Sequence, residues 1–328
     1  TGYASVPGTD ALRQTVAKRV QERTGVPTVP ENVLITPGGQ AALFAAHMVA
    51  CDAGDTALYL DPFYATYPGT LRGVGAIPKA IQTRAEDAFQ PRAGDIDACA
   101  AGAKSLLINT PNNPTGTVYS LETLEGIADV CKAHDLWLIS DEVYDTQVWD
   151  GEHISPRALP DMAQRTLVVG SMSKSHAMTG SRCGWVVGPA EVIESLINLA
   201  THTTYGVAGF IQDASDFALN QGPAFEEDIA APFRRRRALG QEILEHQSTV
   251  GLIPAQGAMY MMLDIRATGM SGEAFAYALL EAHHIAVMPG ESFGAAAAGH
   301  IRVAMTIEDG AFVQALETLC EFAGTLIV

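Results

Sequence analysis

Apolar residues along the chain follow two patterns. Short continuous runs at 33–36, 57–60, 105–109, 136–140 and 166–170 are bounded by Gly, Pro, Asn or Asp, as strands buried on both faces are. Between the runs, apolar residues return every three or four positions. This spacing predicts a helix starting at Thr9 or Asp10, either of which can cap it, and running toward Glu22. It predicts a second helix after Pro37-Gly38-Gly39-Gln40, with Ala41, Phe44, Ala45 and Met48 on one face. A third covers 121–133, capped by Ser120, with Leu121, Leu124, Ile127, Ala128 and Cys131 aligned.

Strands alternating with helices predict an α/β fold with a mostly parallel sheet covered on both faces. Ligands on such sheets sit at the carboxyl ends of the strands. Further on, apolar strands over 254–265, 285–288 and 300–305 precede an amphipathic helix over 309–322. They predict a large domain at 1–225 and a small C-terminal α/β domain at 226–328, joined by a long helix. The run Arg234-Arg235-Arg236-Arg237 on that helix reads as a solvated face or as paired with Glu226, Glu227 and Asp228.

The chain has 328 residues, 48% of them hydrophobic, enough for a sizeable core. Its net charge of −17 argues against nucleic acid or an anionic membrane surface as partner. The five cysteines are scattered and odd in number, which reads as reduced thiols in a cytoplasm, with no disulfide framework or metal site. No membrane-length apolar run and no signal-peptide pattern is read.

The strand over 166–170 delivers Ser171-Met172-Ser173-Lys174, with Arg182, Gly184 and Trp185 downstream. That layout suits a lysine whose amine bonds a carbonyl cofactor while hydroxyls and a guanidinium hold a phosphate. A glycine turn into a helix, as at Gly39 and Gln40, lets backbone amides approach an anion. The stiff loop Thr110-Pro111-Asn112-Asn113-Pro114-Thr115-Gly116 can hold one amide side chain over a ligand. Arg302, alone among apolar strand neighbours, suits a substrate carboxylate if it faces a cleft. Each signal has a plainer reading taken alone: a surface turn, a tight turn, a snorkelling arginine.

Together these segments resemble the class I/II aminotransferases, pyridoxal-phosphate-dependent enzymes of the type I fold, and the likeness covers nearly the whole chain. The block around Lys174 and the stretch 201–212 look most like the arginine–pyruvate transaminase branch. The resemblance implies that Lys174 forms the Schiff base and shuttles the proton in a ping-pong transfer from an L-amino acid to a 2-oxo acid. It implies that Asp141 keeps the pyridine nitrogen protonated, that Tyr144 and Asn113 hold the ring oxygen, and that Tyr64 stacks on the ring. Gly39, Gln40, Ser171 and Arg182 are then phosphate ligands, with Ser173 a weaker candidate; Arg302 binds the substrate carboxylate, and Asn113 is a further substrate-binding residue. Tyr3 matches a tyrosine that crosses to the neighbouring subunit's phosphate, so a homodimer with shared sites is expected. Tyr205 is a candidate for reading the substrate side chain.

Gly290-Glu291-Ser292-Phe293-Gly294 fits a serine-hydrolase pattern, but no acid lies between Ser292 and His300, so the required order fails. No P-loop or complete dinucleotide fingerprint occurs. Two other readings stay open: another pyridoxal phosphate reaction, such as C–S β-elimination or decarboxylation, and a non-catalytic sensor of the cofactor or an amino acid.

Overall fold

The computed structural model describes residues 2–327. Seven strands form the main sheet: β1 (Val33–Thr36), β2 (Thr56–Asp61), β3 (Ile77–Gln82), β4 (Ala103–Asn109), β5 (Trp137–Asp141), β6 (Thr166–Ser171) and β7 (Gly184–Val187). Their spatial order is β1-β7-β6-β5-β4-β2-β3. The five strands from β6 to β3 are parallel, and β7 runs antiparallel to both its neighbours. The mostly parallel sheet read from the alternation is therefore present.

Side-chain alternation along the strands supplies a core on each face. Leu107 of β4 and Ile139 of β5 pack on the helices Gly39–Ala50 and Ala190–Thr201. Leu106, Ile108 and Leu138 turn the other way, onto Ala93–Ala100 and Leu121–Ala133. Thr9 and Ser120 cap their helices as expected, accepting from the amides of Leu12 and Thr123.

The helix Gly39–Ala50 corrects one expectation. Its buried face is Ala42, Leu43, Ala46, His47 and Ala50, while Phe44 and Met48 are each 39% exposed. The segment is apolar nearly all round, so periodicity could not select the inward side. Leu121 likewise turns outward.

A second sheet contains β8 (Gly251–Leu252), β9 (Tyr260–Asp264), β10 (Met288–Pro289) and β11 (His300–Ala304), in the antiparallel order β10-β11-β9-β8. The strand read over 254–265 is shorter because residues 255–258 pair elsewhere. The amides of Gln256 and Gly257 donate to the Gly116 carbonyl at 2.9 and 2.8 Å, and Ala258 donates to Gln147. A side chain at Gly257 would lie 2.7 Å from the Gln147 carbonyl oxygen and 2.8 Å from the Pro111 ring, so only glycine admits this strap.

The long helix Pro223–Glu245 carries the four arginines, but they are mostly paired across elements. Arg234 pairs with Glu227 as expected, Arg235 and Arg236 with Asp309, and Arg237 with Asp150. Glu226 instead meets Arg19 and Arg23 of the first helix, together with Asp145. Among the described residues no helix is long and apolar enough to cross a membrane.

Candidate active site

The carboxyl ends of β4, β5 and β6 and the start of the helix Gly39–Ala50 enclose a cavity of about 240 Å³. Gly39, Gln40, Tyr64, Asn113, Asp141, Tyr144, Ser171, Lys174 and Arg182, all singled out from the sequence, line it, as does Ser173. These residues span more than 140 positions of chain, and the sheet order is what gathers them.

Lys174 rides a single helical turn, Met172–Ser175, directly after β6. Ser171 caps that turn by accepting from the Ser173 amide at 3.1 Å. Arg182 adopts a left-handed backbone, φ 53°, and its guanidinium donates to the Thr179 carbonyl at 2.8 Å. The same guanidinium crosses the face of Gly38, where an added Cβ would come 2.4 Å from Nη2. Gly184 packs beneath the Gly38–Gly39 peptide, with room for no side chain, and the Trp185 indole covers Gly170. Those contacts give a physical reason for the glycine punctuation around the lysine. The Gln40 side chain turns away, donating to Thr70 and accepting from Thr66, so only its backbone faces the turn's anion site.

Asp141 ends β5 on the cavity floor. Burial pushes its carboxyl up to about 6, opposed by a 2.6 Å hydrogen bond from the Tyr67 hydroxyl. Asn109 donates to the Asp141 carbonyl and accepts from the Asn113 amide, fixing the end of β5 to the proline-rich loop. Asn113 in turn accepts from Arg302 Nη1 at 2.8 Å, which leaves its own N–H₂ group to donate. Arg302 stands between the rings of Tyr260 and Phe293, at 4.2 and 4.5 Å, and its buried Nε has no partner. Burial lowers its pKa from the usual guanidinium value. Tyr144 shares a 3.2 Å hydrogen bond with Tyr260, and burial first, then Tyr260, holds its phenol well above the ordinary range.

Tyr3 does not enter this cavity. It is 89% exposed and packs edge-on against Tyr205, itself half exposed. Sequence reasoning missed Tyr67, Asn109, Tyr260 and Phe293. The only available signal for Tyr67 was its place three residues after Tyr64, on the same loop-to-helix entry.

The arrangement suits a phosphorylated aromatic carbonyl compound. Gly38 leaves room for the Arg182 guanidinium, the hydroxyls of Ser171 and Ser173 share the cavity lining with it and with Lys174, and the buried carboxylate of Asp141 completes that lining. The Arg302 guanidinium, with an unpartnered buried N–H, is bonded to Asn113 of that lining.

Comparison with known proteins agrees. The family model for aminotransferase class I and II matches residues 1–319. An arginine–pyruvate transaminase of Pseudomonas aeruginosa is 42% identical over 308 residues, covering 94% of this chain and 78% of that protein. An aspartate/prephenate aminotransferase of Thermus thermophilus is 35% identical, covering 99% of this chain and 84% of the relative. The structure of an aromatic aminotransferase from Pyrococcus horikoshii superposes with a TM-score of 0.96 at 29% identity, covering all of this chain and 89% of the other. Thermus thermophilus aspartate aminotransferase with maleate gives 0.92 at 34% identity, covering 98% and 84%. With the family model spanning nearly the whole chain and the type I fold shared throughout, this protein belongs to the class I and II aminotransferases, pyridoxal-phosphate-dependent enzymes that transfer amino groups between amino acids and 2-oxo acids.

Proposed function

We propose that the cavity holds pyridoxal phosphate on Lys174 and that an L-amino acid enters with its carboxylate on Arg302. The observation that carries this reading is the convergence of Lys174, Asp141, Asn113, Tyr144 and Arg182 on one cavity wall, with Arg302 bonded to Asn113. The phosphate would take the amides of Gly39 and Gln40, the hydroxyl of Ser171 and the guanidinium of Arg182. Bound there, the cofactor supplies an aldehyde carbon for the substrate amine and a ring that accepts the electrons left when the Cα proton departs.

The chain's own groups do the rest. Lys174 Nζ would take the proton from the substrate Cα as general base and return it as general acid to the carbonyl-derived carbon, two atoms away across the nitrogen. Asp141 keeps a carboxylate at the floor, where a positive ring nitrogen lowers the cost of its burial. Tyr144 and Asn113 donate to the ring oxygen, and Tyr64 closes the outer face. Arg302 keeps the carboxylate in place through both half-reactions. That retention favours transamination over decarboxylation, and a C–S β-lyase would use the same wall.

The 42% identity to an arginine–pyruvate transaminase makes arginine and pyruvate the first donor and acceptor to test. In our reading the enzyme is a cytoplasmic homodimer, with Tyr3 reaching the partner's phosphate site, and the small domain begins near residue 226, at the start of the helix Pro223–Glu245.

Lys174→Ala tests the assignment. Purified wild type incubated with pyridoxal phosphate should show a visible band that arginine or another donor bleaches while a 2-oxo acid forms. The variant should fold, show no such band and have no turnover. Full activity in Lys174→Ala would end this proposal.

A further inference from the structure

Tyr260 stands where the two halves of the site meet, and nothing in the proposed mechanism uses it. It opens β9, is 8% exposed and touches both sides. Its hydroxyl lies 3.2 Å from the hydroxyl of Tyr144, with the two rings edge-on at 6.0 Å. Its face lies 4.2 Å from the guanidinium carbon of Arg302. Phe293 covers the other side of that guanidinium, but a phenylalanine has no hydroxyl to offer Tyr144.

The backbone holds Tyr260 in this double contact. Just ahead of it, Gln256, Gly257 and Ala258 are strapped to Gly116 and Gln147. The Tyr260 carbonyl oxygen lies 3.1 Å from the position a Cβ would take on Gly116, at the end of the loop that carries Asn113. After Tyr260, β9 pairs with β11, placing Ala304 opposite Tyr260 and Arg302 opposite Met262. The ring is thus fixed to the Asn113 loop and to the strand of Arg302 together.

We propose that Tyr260 is a positioning residue for the transfer reaction: its hydroxyl donates to Tyr144 while its ring holds the plane of Arg302. This rests on the reading of Tyr144 as donor to the cofactor's ring oxygen. With the Tyr144 proton committed to that oxygen, the free lone pair of Tyr144 accepts from Tyr260. A phenol that accepts one hydrogen bond donates another more strongly, because the chain of bonds polarises. Tyr260 therefore strengthens the bond to the ring oxygen, favours negative charge there, and makes the proton on the adjacent lysine nitrogen easier to lose. The aromatic face limits the guanidinium to one plane, in which two parallel N–H groups can meet a carboxylate.

The test separates hydroxyl from ring. Holoenzyme is titrated with pH while the visible band is followed, for wild type, Tyr144→Phe, Tyr260→Phe, Tyr260→Leu and the Tyr144→Phe/Tyr260→Phe pair. Tyr260→Phe should raise the pKa of the band by about half to one unit, the size of one neutral hydrogen bond. Tyr144→Phe should raise it more, and the double variant should match Tyr144→Phe alone. Acetate binding, read from its perturbation of the band, should be unchanged in Tyr260→Phe and weakened about tenfold in Tyr260→Leu, in the range of a desolvated cation–π contact. Thermal melts establish that each variant is folded, and the double variant reads the coupling even if Tyr260→Leu does not fold. A wild-type band whose pKa is the same in Tyr260→Phe would overturn this proposal alone. A wild type that forms no band with pyridoxal phosphate would overturn it together with the Lys174 assignment.

Discussion

Replacing Asp141 with asparagine should make the cofactor-free protein more stable while removing its activity. The Asp141 carboxyl is buried and pushed up to about 6 from an ordinary 3.8. Between those two values the folded chain keeps a proton that the unfolded chain has released. The contribution of Asp141 to stability is therefore greatest below about pH 4, falls as pH rises through 6, and stays lower above that. A difference of roughly two units corresponds to about 3 kcal/mol at neutral pH, with the 2.6 Å bond from Tyr67 already included in the shift. Asparagine carries no charge and still offers Tyr67 an oxygen, so most of that penalty should vanish. Asp61 is also buried and pushed up to about 6, but it is present in both proteins and cancels in the comparison. The assay is urea unfolding of cofactor-free protein at fixed concentration, at about pH 4.5, 6 and 7.5. Asp141→Asn should exceed wild type by 1–3 kcal/mol at the highest pH, a range of about the full linkage term or part of it, and approach it at the lowest. A variant less stable than wild type at pH 7.5, or a gap that does not shrink with acid, would refute the reasoning. Activity should be lost because an amide cannot balance a positive ring nitrogen.

His47 acts in the opposite direction. Burial lowers its pKa to about 4 from 6.5 and neither ring nitrogen has a partner, so stability should fall as pH drops through that window, by about 3 kcal/mol in all. His47→Leu should flatten this acid limb in the same urea series, and an unchanged slope would exclude His47 as its source. Gly38→Ala should displace Arg182, since the new Cβ would meet Nη2 at 2.4 Å from a backbone at φ 81°. Pyridoxal phosphate affinity, measured by titrating the visible band, should fall by more than about tenfold, the size of one lost charge-assisted hydrogen bond. Equal affinity would show that Arg182 does not need the glycine.

The cavity wall was legible because its residues stand in short, unusual sequence blocks. Pro-Asn-Asn-Pro-Thr-Gly is long and unusual, Ser-Met-Ser-Lys is set apart from a surface turn by Arg182 and Gly184-Trp185 downstream, and the strands that deliver them are continuous apolar runs. Tyr67 and Tyr260 were not legible, since a tyrosine beside a helix start or within Met-Tyr-Met-Met reads as core. Both are indeed buried, and what distinguishes them is a hydroxyl partner on another element, Asp141 for one and Tyr144 for the other. The outward turn of Phe44 and Met48 escaped because a helix apolar on every side has no preferred phase. The arginine run was read locally, and its partners Asp150 and Asp309 lie about 70 to 90 positions away.

The strap at Gly116 fixes the small sheet at its cavity end. Arg302 lies two residues along the β9–β11 ladder from the strapped end, about 7 Å at the usual rise per residue, and His300 lies about twice as far. A 10° swing of the small sheet about the strap would shift Arg302 by about 1 Å and His300 by about 2 Å. Because leverage grows with distance from the strap, any such swing would carry the outer rim of this sheet about twice as far as the Arg302 guanidinium.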